Sequence, residues 1–231
     1  MPADKGKTGP TSLVLSDIAS VIKSQLPSSV PVFLLGHSMG GGEIIMLASD
    51  PLYADLTSQI RGWMLESPFV DFTPDSKPAA LKIYLGRLVG KLLPHKQMLN
   101  PLLPEKLTRD PEVVKSLYTD ELLHGTATLE GASGMLDRTM AINTGKTKLN
   151  KGVKSIWLGH GTADQGTCYN ASKKWFDQQV DVEDKEFKTY EGWFHQLHAD
   201  TPETRVIYTK DVADWILARV GEESKPVESK L

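Results

Sequence analysis

The chain has 231 residues, 40% hydrophobic and 24% charged, which is ordinary globular usage and excludes a disordered or fibrous class. Lys+Arg 26 against Asp+Glu 29 gives a net charge of -3 without a basic block, so nucleic acid is not an expected partner. The single cysteine, Cys168, excludes an internal disulfide and a CxxC zinc framework and fits a reducing compartment.

In chain order, residues 12–26 (SLVLSDIASVIKSQL) set Leu13, Ile18, Val21 and Ile22 at near-helical spacing until Pro27, which predicts a helix. Residues 31–35 (PVFLL) form a short apolar stretch ending at Gly36, the pattern of a strand buried on both faces of a parallel sheet. A helix follows from Met39, with Ile44, Ile45, Leu47 and Ala48 inward. Further strands are expected at 63–65, 153–158 and 187–190. A last helix is expected from Pro202, with Val206, Ile207, Ala213, Trp215 and Ile216 as its inward stripe. Strands alternating with helices argue for an α/β domain around a mostly parallel sheet.

Residues 67–150 read as helical with no convincing strand, so residues 1–231 are expected to form one α/β domain carrying a helical cap inserted at about 71–150. Within it, residues 79–93 are amphipathic, and Asp110-Pro111-Glu112 is a helix start. Leu81, Ile83, Tyr84, Leu85, Leu88, Val89 and Leu92 offer apolar surface beyond one stripe, and Lys82, Arg87 and Lys91 are placed to meet lipid headgroups, although packing onto the core is the competing use. No apolar run nears the ~20 residues of a membrane span, and MPADKGKTGP lacks a signal-peptide core. The terminal Ser229-Lys230-Leu231 is the tripeptide read by the peroxisomal import receptor, so the peroxisome is the expected location. The cytoplasm and a lipid-droplet or ER surface are the alternatives.

Gly36-His37-Ser38-Met39-Gly40 fits G-x-S-x-G, a strained strand-to-helix elbow that lifts the serine above the sheet, with Gly36 and Gly40 expected to relieve collisions in the turn. A serine hydroxyl needs a base, and the base needs an orienting carboxylate, in the chain order acid then histidine. After the 153–158 strand comes GHGTAD, presenting Asp164; after the 187–190 strand comes EGWFH, presenting His195. His198 and His160 compete for the role of base, and His195 is favoured as nearer the strand end. Asp177, Asp181 and Asp184 read as surface residues, His95 and His124 fall in the cap, and Cys168 reads as a small buried hydrophobe.

The strings VFLLGHSMGGGE, LESPF, TRDPEVVKSLYTDEL, LEGASGMLDR, GHGTAD and YEGWFHQLHADTPE resemble the monoglyceride lipase and lysophospholipase branch of the α/β-hydrolases, of fungal type and related to the S33 serine aminopeptidases. The resemblance implies an α/β-hydrolase fold, the triad Ser38, Asp164 and His195, a cap over an acyl-chain tunnel, and hydrolysis of monoacylglycerol or related lipid esters with no cofactor or metal. A serine aminopeptidase or general carboxylesterase, and an inactive or non-catalytic lipid-binding protein, are the alternatives. The sequence departs from the family in opening directly at the helix before the elbow, without the early strands or the His-Gly loop. The expectation is an N-terminally incomplete sheet, an exposed apolar edge at Val32 to Leu35, and Met39 N–H as the one oxyanion donor. Loss of a donor costs ~3 to 4 kcal/mol.

Overall fold

The computed structural model describes residues 6–220, apart from the side chains of residues 80–82, 84 and 85. The readings for Ser229, Lys230 and Leu231, and for the side chains of Leu81, Lys82, Tyr84 and Leu85, lie outside the described residues.

Helix α1 (Thr11–Ser24) leads into strand β1 (Phe33–His37), helix α2 (Met39–Ser49), the short helix α3 (Ala54–Ser58) and strand β2 (Gly62–Glu66). The intervening segment holds α4 (Ala80–Leu92), β3 (Gln97–Leu99), α5 (Pro111–Thr119), β4 (Thr126–Thr128) and α6 (Leu129–Asn143). The chain then forms β5 (Ser155–Gly161), α7 (Tyr169–Asp177), β6 (Asp184–Tyr190) and α8 (Pro202–Val220). The main sheet runs β1-β2-β5-β6, with every pair parallel. Its two inner strands are buried along their whole length, as near-continuous apolar runs require in a sheet covered on both faces.

Side-chain alternation splits the core in two. Trp63, Leu65, Ile156 and Leu158 face the layer of α1, α2, α6 and α7, while Met64, Trp157 and Tyr190 pack with Tyr208 and Trp215 of α8. The expected stripe of α8 is corrected: Val206 and Ile207 are 69% and 50% exposed and Ala213 is exposed, whereas Tyr208 and Trp215, seven positions apart, are buried. Their aromatic rings bring larger apolar areas to the sheet than the aliphatic pair could. In α1 the buried residues are Leu15, Ala19 and Ile22; Leu13 and Val21 point to solvent.

The segment between β2 and β5 has two parts. Helix α6 packs on α1 and α2, with Ile142 fully buried in the main core, and Arg138 joins Thr11 of α1 (3.2 Å) and Glu43 of α2 (3.1 Å). The other part contains an antiparallel β3–β4 pair where no strand was expected, because three-residue strands carry too little periodicity to be read. Asp110 caps α5 as expected, accepting from Glu112 N at 2.9 Å. Just before it, Arg109 grips the buried Asp200 through N (2.9 Å) and Nε (2.8 Å), and Thr108 Oγ1 donates to Ala199 O at 2.8 Å. These bonds clamp the inserted segment onto the loop that carries His195. Arg87, expected to face lipid headgroups, instead pairs with Asp137 of α6.

Candidate active site

Ser38 sits between β1 and α2 with φ 53° and ψ -121°, a left-handed conformation rare for a residue with a side chain and costing about 1–3 kcal/mol. The turn is held by Ser38 N donating to Glu66 O (3.0 Å) and by Ser38 O accepting from Phe69 N (2.8 Å). Gly36 is required as expected, since a Cβ there would lie 2.7 Å from Gly40 O. At Gly40 the expectation is corrected: a Cβ would meet nothing within 4 Å, and the crowded position is Gly41, where it would lie 2.7 Å from Pro68 Cβ. The β2–α4 connection leans on the second glycine of the helix, not the first. Met39 opens α2, so its N–H belongs to the first turn, whose donors have no acceptor within the helix.

Asp164 lies in the turn after β5 and His195 in the loop after β6. His195 Nδ1 lies 2.9 Å from Asp164 Oδ2, the carboxylate being fully buried and the imidazole nearly so. Ser38 Oγ and His195 Nε2 are not hydrogen-bonded to each other, but the ring of His37, the residue before Ser38, is 4.7 Å from that of His195. Elbow and base therefore share one rim of the sheet, formed by the C-terminal ends of the strands. A catalytic serine–histidine bond is commonly long without substrate.

Asp164 is surrounded by donors that single residues did not announce. Gly166 N (2.7 Å) and Thr167 N (3.0 Å) bond its Oδ1; Thr167 Oγ1 (2.9 Å) and His160 Nε2 (2.9 Å) bond its Oδ2. Burial pushes this carboxyl up, but the bonds from His160 and His195 outweigh it and hold it well below the usual carboxylate range. His160, a competing candidate for base, is fully buried at the end of β5, so it supports the carboxylate from behind. Gly166 is needed for closeness: a Cβ would lie 3.0 Å from His195 Cγ.

His198, the other competitor, belongs to a second carboxylate. Its Nδ1 is 2.7 Å from Glu66 Oε1 and its N donates to the same oxygen at 3.1 Å, while Tyr208 OH donates to Oε2 at 2.9 Å. The bond to Glu66 holds the His198 imidazole above its ordinary value. His124 accepts from Thr126 N at 3.0 Å within its own loop. Asp177 and Asp184 pair with Lys173 and Arg219. Cys168 is the half-buried residue preceding α7.

A parallel sheet wrapped by helices, a serine elbow at the end of its first strand, and an Asp–His pair on loops after later strands together define an α/β-hydrolase. The profile of the family described as "Serine aminopeptidase, S33" matches residues 3–202, and the chain belongs to that family. A Schizosaccharomyces pombe protein provisionally named a monoglyceride lipase is 29% identical over 238 residues, 99% of this chain and 57% of its own length. The monoglyceride lipase of Mus musculus is 30% identical over 195 residues, 83% of this chain and 60% of that enzyme. The solved structure of a soluble variant of the Saccharomyces cerevisiae monoglyceride lipase, in complex with a substrate analog, superposes with a TM-score of 0.82 at 19% identity, covering 95% of this chain and 73% of that one. The chain thus spans somewhat over half the length of these two curated relatives.

Proposed function

We propose that the protein hydrolyses monoacylglycerols or closely related lipid esters. The observation that carries this reading is the buried Asp164–His195 pair on the same rim as the strained elbow of Ser38. In the proposed reaction His195 takes the Ser38 proton as the hydroxyl attacks the ester carbonyl, and then gives it to the departing glycerol oxygen. Asp164 keeps the Nδ1 proton of His195 facing it, so Nε2 is the working nitrogen and the imidazolium is stabilised. Met39 N–H, at the start of α2, would donate to the oxyanion. Water, activated by the same imidazole, then releases the fatty acid. The names of the relatives give the choice of a lipid ester over an amide.

The expected result is labelling of Ser38 by a fluorophosphonate probe, together with faster turnover of a monoacylglycerol than of an aminoacyl amide. Labelling without ester turnover would leave a lipid-binding protein with a relic site, and faster amide turnover would make it an aminopeptidase. The cap favours a lipid interface: Leu92, Leu99 and Leu122 are 79%, 71% and 86% exposed. The tripeptide Ser229-Lys230-Leu231 supports delivery to peroxisomes by the import receptor; removal of Leu231 from a fluorescent fusion would then return it to the cytoplasm.

A further inference from the structure

The α8 side of the rim carries a second polar cluster that the hydrolytic reading leaves unused. His37 at the end of β1 and Glu66 at the end of β2 are register partners, and His198 reaches them from the turn after His195. One ligand atom from each, two imidazole nitrogens and a carboxylate oxygen, lie within 4.8 Å of one another. Glu66 is 1% exposed, and bonds from His198 with the charges of His37 and His198 outweigh its burial and keep it ionised. His198 is half exposed and opens the cluster to solvent.

His37 is the odd member. Its Nε2 is buried and has no hydrogen-bond partner. Burial lowers this imidazole to about 4. A neutral imidazole carries one lone-pair nitrogen, and Nε2, which no neighbour bonds, can serve as a ligand atom. A buried ring nitrogen left without a partner is costly.

We propose that His37, Glu66 and His198 form a binding site for a divalent transition metal of the zinc class. Two imidazoles and one carboxylate are the donor set that borderline cations prefer, whereas magnesium and calcium ask for all-oxygen shells. Zinc–ligand bonds of ~2.0–2.2 Å set ligand atoms ~3.3 Å apart in a tetrahedral site, so rotation of the half-exposed His198 would move its Nδ1 off Glu66 Oε1, now 2.7 Å away, while a small turn brings His37 in. The fourth position opens toward solvent beside His198. The site stands independently of ester hydrolysis, for which no cofactor or metal was expected.

The test is titration of the metal-stripped full chain with Co²⁺, read by visible absorption, and with Zn²⁺, read by calorimetry. The expected result is one equivalent bound with a Kd of about 1 μM or tighter. His198→Ala and Glu66→Gln should each weaken binding by at least about tenfold, while His195→Ala and His160→Ala leave it within about twofold. Circular dichroism checks each fold; if the buried Glu66→Gln does not fold, the more exposed His198→Ala decides. No saturable binding up to about 1 mM Zn²⁺, affinity that survives His198→Ala, or binding lost on His195→Ala overturns the proposal.

Discussion

Asp164 accepts more hydrogen bonds than the orientation of one imidazole requires. Two backbone N–H groups, a threonine hydroxyl and two histidines converge on it. His160 thus fixes the oxygen that His195 must find, and partners of this kind commonly carry 10–100-fold of activity. His160→Ala is expected to lower kcat/KM on an ester by about that factor, and His160→Gln, which keeps a donor, to recover part of it. Equal rates in all three proteins would remove the role. Asp164→Asn should cost about 10⁴ in kcat. It should also reshape stability against pH. The folded carboxyl titrates below its ordinary value, so its contribution is present above about pH 4 and fades as the solution is made more acid. Chemical denaturation between pH 7 and pH 2 should therefore show a shallower acid limb in the variant. The elbow glycines give a third test. Gly41→Ala must push Cβ into Pro68 and should lose about 1–3 kcal/mol in urea unfolding, whereas Gly40→Ala should be neutral or gain stability as a helical alanine. The placement of Ser38, Asp164 and His195 just after β1, β5 and β6 was legible because each follows a recognisable strand. Gly41, His160 and Thr167 were not, since their constraints come from Pro68 and Asp164 across the fold.

Elements with strong local patterns were legible and those placed by tertiary partners were not. The strands β1, β2 and β5, α2 and the Asp110 cap carry their own signals in apolar runs and capping chemistry, whereas only the second half of the more polar β6 was legible. The inward side of α8 was misread because Val206 and Ile207 are apolar yet exposed, while Tyr208 is kept inside by its bond to the buried Glu66. Helix α6 looked like part of a cap, although Ile142 and Arg138 tie it to the layer over the sheet. Arg138 is nearly buried and faces Glu43, which burial pushes up and Arg138 only partly restores. Removing one member of such a pair leaves the other charge stranded, at about 3–5 kcal/mol, while removing both is often nearly neutral. Arg138→Leu should accordingly unfold at markedly lower urea than wild type. The double variant Arg138→Leu, Glu43→Leu should regain most of the loss. Additive losses would show that the pair is not coupled across α2 and α6.

At the scale of the whole molecule, the sheet is asymmetric. Its inner strands are sealed on both faces, but among the described residues β1 pairs with β2 alone, and Leu35 in the middle of β1 is 45% exposed. Phe33, two residues earlier, rests on Trp215, with ring centroids 5.9 Å apart. A strand with free backbone groups and an apolar side chain in solvent is a template for pairing with another chain. A net charge of -3 provides little repulsion against that contact. The described chain is therefore expected to self-associate at micromolar concentration. Leu35→Lys should reduce the associated fraction in light scattering while leaving the unfolding midpoint nearly unchanged, because the residue buries little within its own molecule. The exposed leucines of the cap are the competing source of stickiness. Leu99→Lys with Leu122→Lys separates the two surfaces: if that pair disperses the protein and Leu35→Lys does not, association runs through the cap, and the open side of β1 is inert.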